Sequence, residues 1–163
     1  MPYEIAQIRD ALELVMDPEV PVLSVLDLGI VRDVRIENNS VEIVITPTYS
    51  GCPAMDMIAT LIKMQVRTLG YADIVIRTVL SPAWTTDWMT QSGRDKLTAY
   101  GIAPPNPRQA VCSPQYFHRE EAVQCPLCQS YNTSRISEFG STACKSLYRC
   151  LNCQEPFDYF KCH

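Results

Sequence analysis

The run Val31-Arg32-Asp33-Val34-Arg35-Ile36-Glu37-Asn38-Asn39-Ser40-Val41-Glu42-Ile43-Val44-Ile45-Thr46 decides the fold. Its first part, Val31 to Glu37, is rich in β-forming residues and sets Val34 and Ile36 on one face. Its second part alternates Val41, Ile43 and Ile45 with Glu42, Val44 and Thr46, the period of two that gives a strand two distinct faces. Between them lies Asn38-Asn39, a pair that tolerates positive φ and so suits a tight turn. The spacing predicts a β-hairpin.

Working outward, Ile5, Ile8, Leu12 and Val15 recur at steps of three and four and predict an N-terminal helix. Asp17-Pro18 should end it, because proline disfavours helical geometry in the residue before it. A rigid loop through Pro21, an apolar stretch from Val22 to Leu28 and a turn at Gly29 then lead into the hairpin. Beyond it, the loop Thr46-Pro47-Thr48-Tyr49-Ser50-Gly51-Cys52-Pro53 opens a second helix, with Ile58, Leu61, Ile62 and Leu69 on its apolar face and Gly70 as terminator. Ile74 to Leu80 reads as a third strand, and Thr90 to Tyr100 as a third helix closed by Gly101. The order α-β-β-α-β-α is that of a small open α/β sandwich over residues 1–102. Pro104, Pro105, Pro107 and Pro114 make an extended connector over 103–122, and a separate module is expected over 123–163.

That module announces itself by its cysteines. Of eight in the chain, Cys125, Cys128, Cys144, Cys150, Cys153 and Cys162 crowd the last quarter, leaving Cys52 and Cys112 before it. Cys125-Pro126-Leu127-Cys128 and Cys150-Leu151-Asn152-Cys153 are two C-x-x-C knuckles separated by 21 residues. Facing knuckles supply four thiolates in a tetrahedron, the closed arrangement of structural zinc sites, and the interval can form short strands. A zinc ribbon is therefore expected, with strands near Thr133 to Phe139, Ser146 to Arg149 and Glu155 to Phe160. Iron on the same sulfurs is the alternative metal, and Cys144 competes with Cys150 as a ligand, although it lacks a C-x-x-C partner. A module this small buries too little apolar surface to fold unaided, so the metal would supply folding free energy.

Composition narrows the function classes. A hydrophobic fraction of 47%, a charged fraction of 20% and a net charge of -4 describe a soluble globular chain with no global pull toward nucleic acid or acidic lipid. Met1-Pro2-Tyr3-Glu4 has an acid where a signal peptide carries basic residues, and no apolar run approaches membrane-spanning length, so a cytoplasmic protein is expected. Without an export signal, metal ligation is the better reading of the cysteines than a disulfide framework. A ribbon can also bind nucleic acid. Tyr131, Tyr148, Phe157, Tyr159 and Phe160 would serve for stacking, but Arg135, Lys145, Arg149 and Lys161 barely outnumber Glu138, Glu155 and Asp158. A protein-docking or stabilising role fits better.

Outside the ribbon, Cys52 is the residue that could carry chemistry. Pro53 suits the first helical position, which places Cys52 at the N-cap, where the helix dipole and free N–H groups favour thiolate. Asp56 opposes this, and a small half-buried turn residue is the plain alternative. The acids Asp17 and Glu19 beside prolines are either a helix-terminating turn or part of a site. One thiolate cannot hold an iron–sulfur cluster, so a cluster role requires a second subunit, as in a homodimer, or a client protein. The chain has neither a P-loop nor a G-x-G-x-x-G turn, and its two histidines, His118 and His163, leave no catalytic pair or triad. Trp84, Trp88 and Met89 read as core or interface. No stand-alone catalysis is expected.

Three motifs carry a resemblance: Asp17-Pro18-Glu19-Val20-Pro21, Asp27-Leu28-Gly29-Ile30-Val31, and the loop ending in Gly51-Cys52-Pro53. In this order they resemble the MIP18-type family of iron–sulfur assembly factors over residues 4–80. Trp84-Thr85-Thr86-Asp87-Trp88-Met89, Gly93-Arg94, Tyr100-Gly101-Ile102-Ala103-Pro104-Pro105 and the cysteine-rich tail narrow it to the D-type accessory proteins of bacterial phenylacetate degradation. The resemblance implies a maturation factor rather than a catalyst. Cys52 would handle iron or a cluster, with Asp17 and Glu19 in the same domain. The implied partners are the iron–sulfur assembly machinery and the phenylacetyl-CoA epoxidase system, its flavin and [2Fe–2S] reductase before its di-iron oxygenase.

Overall fold

The computed structural model describes residues 4–49, 51–106 and 122–161. Most of the expected connector, with Pro107 and Pro114, lies outside the described residues, as do Cys112, His118, Cys162 and His163. The chain forms two compact units, residues 1–84 with 88–93, and residues 85–87 with 94–163.

In the first unit, helix α1 (Ile5–Leu12) buries Ile8, Ala11 and Leu12. It stops sooner than the Ile5–Val15 stripe suggests. Val15 is still buried, but its N–H bonds Leu12 O at 3.0 Å and its carbonyl accepts Val25 N–H at 2.9 Å. Chain reversal, not helix, buries it. Strands β1 (Val31–Glu37) and β2 (Ser40–Ile45) form the expected hairpin, antiparallel from Val31 opposite Ile45 to Glu37 opposite Ser40. Asn38 and Asn39 both take positive φ, 48° and 66°, as a two-residue turn of this hand requires. Helix α2 (Ala54–Arg67) then crosses to β3 (Asp73–Thr78), which pairs in parallel with β2. The helix supplies the crossover that parallel neighbours need. Ala54, Ile58, Ile62 and Val66 form its buried stripe, and Val34, Val41, Ile43 and Ile45 are buried on the sheet.

Residues 24–30 are locked onto Trp84 and residues 88–93 of the same unit. The Asp27 carboxylate accepts Ser24 N–H at 3.1 Å and the Thr90 hydroxyl at 3.0 Å, and its carbonyl accepts Thr90 N–H at 2.9 Å. Trp84 donates its indole N–H to Leu28 O at 2.7 Å. Gly29, at φ 71°, lies so close to Trp88 that a Cβ would stand 2.2 Å from the Trp88 carbonyl oxygen. Trp84 and Met89 are buried, in line with the core reading, while Trp88 lies beneath the Arg32 guanidinium, 3.5 Å from its ring centre. A short 3-10 turn, Thr86–Trp88, precedes helix α3 (Gln91–Ala99), so the order of helices and strands is α-β-β-α-β-α as expected.

The second unit holds more of the chain than a ribbon starting at 123. Ile102–Ala103, where the first domain was expected to end, is a short strand β4 paired in parallel with β7 (Pro156–Phe160). With β5 (Thr133–Ser137) and β6 (Lys145–Cys150) it completes a four-stranded sheet of order β4-β7-β6-β5. Arg94 holds this stretch in place by donating to Thr86 O at 2.7 Å and Pro105 O at 2.8 Å. Backbone pairing of only two residues is why hydrophobic periodicity did not announce β4. The core contains Ala103, Val123, Cys125, Tyr148, Cys150, Phe157 and Tyr159. Tyr148 stacks on Phe157 at 5.9 Å and meets Tyr159 edge-on at 5.6 Å. Of the five aromatics considered for nucleic-acid stacking, four are buried and Tyr131 alone is exposed. Among the described residues, no helix is long and apolar enough to cross a membrane.

The Gly29 contact yields a prediction. Gly29→Ala combines a left-handed backbone with an overlap against Trp88, and should destabilise the first unit by about 2–4 kcal/mol. Both tryptophans belong to that unit, so denaturant unfolding followed by their fluorescence reads it directly.

Candidate metal centre and the Cys52 loop

The two C-x-x-C knuckles are built alike. In the first, Cys125 N–H bonds Ser130 O at 2.8 Å and Gln129 N–H bonds Cys125 O at 2.9 Å, with Gln129 at φ 65°. In the second, Cys150 N–H bonds Glu155 O at 3.0 Å and Gln154 again takes φ 65°. Each glutamine makes the left-handed step that lets the chain reverse beneath its sulfurs. Asn132 ties the knuckles together: its carbonyl accepts Leu151 N–H at 2.8 Å and its amide donates to Asn152 Oδ1 at 3.1 Å.

The sulfurs of Cys125, Cys128, Cys150 and Cys153 all lie within 4.8 Å of one another. Cys125 and Cys153 are 3.8 Å apart, and Cys128 and Cys150 3.4 Å apart. A tetrahedral ion with metal–sulfur bonds near 2.3 Å sets its sulfurs about 3.8 Å apart, so this donor set fits a metal. Cys144 is elsewhere: its sulfur lies 3.0 Å from the Thr142 hydroxyl. The Cys150 thiol is drawn down to about 7, above all by the backbone amide of Cys153. Cys153 is pushed up to about 12; the Glu155 amide draws it down, but burial and the three neighbouring sulfurs outweigh that. One thiol is thus drawn down and its neighbour pushed up, and a bound dication would release the proton that Cys153 keeps.

Cys52 belongs to a different environment. Helix α2 is capped by Pro53, at φ -68° and ψ -19°, so Cys52 stands one residue before the cap and not on it. Its N–H bonds Tyr49 O at 3.3 Å and its carbonyl accepts Met55 N–H at 3.3 Å. The expectation of a favoured thiolate is reversed. Burial pushes the Cys52 thiol up; the Ala54 amide and the Tyr49 hydroxyl pull against it, while the Glu19 and Asp17 carboxylates add to the rise. The opposing charges come from across the fold and not, as Asp56 would, from the helix. Asp17 and Glu19 therefore do sit within electrostatic reach of Cys52. Asp17 is also a turn former, its Oδ1 accepting Glu19 N–H at 2.7 Å and Val20 N–H at 2.9 Å. Tyr49 was missed in the sequence, although it lies in the same loop. Thr46 was missed as well: at the root of that loop its buried hydroxyl has no hydrogen-bond partner among the described residues, and only the fold shows its burial. Gly51 takes φ 83°, and a Cβ there would meet open space.

The comparisons with known proteins divide the chain as the structure's two site regions do. Residues 5–75 match the family described as iron–sulfur cluster assembly protein, and residues 110–161 match the PaaD zinc beta ribbon domain. Across 161 residues the chain is 47% identical to an Escherichia coli (strain K12) protein ascribed to the 1,2-phenylacetyl-CoA epoxidase as its D component, covering 99% of this chain and 94% of that one. It is 34% identical over 88 residues to an Fe-S protein maturation auxiliary factor of Porphyromonas gingivalis, covering 53% of this chain and 83% of the relative. Among solved structures, a DUF59 domain from Bacillus anthracis matches at 30% identity and TM-score 0.53, covering 56% of this chain and 89% of that one. A conserved hypothetical protein from Thermotoga maritima matches at 27% identity and TM-score 0.51, over 58% of this chain and 94% of that one.

Because its pKa is raised, Cys52 should stay protonated at neutral pH and react only as pH climbs above the usual thiol range. Alkylation by iodoacetamide, read at Cys52 by peptide mass spectrometry, should show a midpoint above that of free cysteine. Glu19→Gln, which removes one of the charges opposing the thiolate, should move that midpoint down.

Proposed function

Since this chain belongs to the family of D components of the phenylacetyl-CoA epoxidase system, we propose that it is an accessory maturation factor that assists iron or iron–sulfur cluster assembly there. The reductase carrying a [2Fe–2S] centre is the first client and the oxygenase the second. One observation carries the reading: Cys52 lies within the electrostatic reach of Glu19 and Asp17, on the unit shared with the Fe-S maturation factors.

Burial is what chiefly holds the thiol protonated, and the Glu19 and Asp17 carboxylates that add to it are charges that attract a cation. Cys52 is therefore quiet toward other electrophiles until metal arrives. On binding, the sulfur–metal bond forms, the S–H bond breaks and the proton leaves to solvent. A single thiolate leaves the remaining coordination positions to the client's ligands, which favours onward transfer over storage. The ribbon has a different task. In this reading Cys125, Cys128, Cys150 and Cys153 hold zinc, which folds the surface that docks the client. A purely structural role in the enzyme complex is the second reading, favoured by the relative's ascribed place there. Co-purification at fixed stoichiometry, with activity lost when the chain is stripped from the assembled enzyme, would select it.

Replacing Cys52 with Ser should leave the fold intact and cut the iron and sulfide content of the co-expressed reductase several-fold. Wild-type cluster occupancy with normal pathway flux sinks the maturation role. The metal assignment has its own check. Anaerobically purified protein should contain one zinc per chain, and a strong chelator should unfold the second unit while tryptophan fluorescence of the first stays native.

A further inference from the structure

Strand β3 is an edge. The sheet order is β1-β2-β3, and among the described residues no strand pairs with its outer side. Val79, just past its end, donates its N–H to Ile45 O at 2.9 Å. In a parallel pair alternate residues turn both backbone groups toward the same neighbour. Arg77, Val75 and Asp73 therefore also address β2, and Ile74, Ile76 and Thr78 turn their N–H and C=O groups outward. Side chains alternate as well. Asp73, Val75 and Arg77 share the outer face of the sheet, where Val75 is 47% exposed. Ile74 and Ile76 share the core face with their register partners Val41 and Ile43, and are only half-buried.

The stretch Asp73-Ile74-Val75-Ile76-Arg77 is complementary to its own reverse. Set antiparallel to a copy with Val75 at the centre, Asp73 opposes Arg77, Ile74 opposes Ile76 and Val75 opposes itself. The outward backbone groups agree with this register. Ile74 and Ile76 would exchange both hydrogen bonds. Val75 with Val75, and Asp73 with Arg77, would fall at the non-hydrogen-bonded positions, where Cα atoms come to about 4.5 Å and side chains interact most closely. A register one residue off sets outward groups against inward ones, and a register two residues off breaks both charge pairs. Arg77 is already held on this face by Glu42 at 3.1 Å, and a guanidinium has donors enough for a second carboxylate.

We propose that β3 pairs with β3 of a second copy of this chain, about a two-fold axis through Val75, to make one continuous sheet. This inference does not depend on the maturation reading. A single strand pair is at the small end of protein interfaces, below about 1,200 Å², so the dimer is reversible and its population follows concentration.

The test is sedimentation velocity of the full chain over a concentration series. The wild type should shift from monomer to dimer as concentration rises. Asp73→Arg and Arg77→Asp each set like charges opposite one another twice per dimer, and each alone should weaken association by roughly tenfold or more. An equimolar mixture of the two restores opposite charges at both positions and should recover dimer as a mixed pair. Val75→Lys, at an exposed site on the axis, should weaken association without touching either charge. A wild type that stays monomeric at every concentration overturns the proposal, including one whose edge is taken up only by a different protein. So does a dimer indifferent to these substitutions, or a mixture of folded variants that fails to associate.

Discussion

The first unit depends on how tightly residues 24–30 are held against Trp84 and residues 88–93. Asp27 satisfies both flanks at once, with Ser24 on one side and Thr90 on the other, and Gly29 lets the backbone touch Trp88 where no side chain would fit. The grip is propagated. Ile30 follows directly, and its carbonyl accepts Thr46 N–H at 2.9 Å. Thr46 is the first residue of the loop that ends in Cys52. A contact made far along the chain therefore sets where the Cys52 loop begins, before any of its own residues contribute.

Local patterns were legible in the sequence, and long-range ones were not. The hairpin was read correctly because both its signals are local: alternation within each strand and an Asn-Asn turn between them. The knuckles were legible for the same reason, since two cysteines three apart need only a tight turn to share an ion. The limits of α1 were overestimated because Val15 is buried by a chain reversal whose partner, Val25, is ten residues on. β4 was invisible because two residues carry no period and their partner lies more than 50 positions away. The aromatics of the ribbon could be counted but not placed. Folding put Tyr148, Phe157 and Tyr159 into the core, where they replace the aliphatic mass that so small a sheet lacks.

Cys52 shows the same limit at the level of chemistry. Helix position argued for a thiolate, a sound local inference that burial and two distant carboxylates reverse. The residues that reverse it, Asp17 and Glu19, had been singled out for their own motif, but nothing in their spacing tied them to a thiol more than 30 positions away. The two cysteine environments are opposites. In the ribbon, four sulfurs lie within 4.8 Å of one another as a donor set for one ion; at Cys52, burial keeps a single thiol neutral and two carboxylates add to the effect.

The two-residue strand β4 has a consequence for the order in which the protein is made. Ile102–Ala103 leaves the ribosome early, but its pairing partner Pro156–Phe160 follows more than 50 residues later. At translation speeds of about 5–20 residues per second that is a wait of several seconds. For the last part of it, Cys125 and Cys128 are already out as a half-site, while the first unit, whose strands end at Thr78 and whose clasp ends at Gly93, is able to close. The nascent chain therefore presents a finished α/β unit trailing a pair of uncommitted thiols. Capture of the ion and closure of the second sheet then become one event, reached once Cys150, Cys153 and β7 have followed.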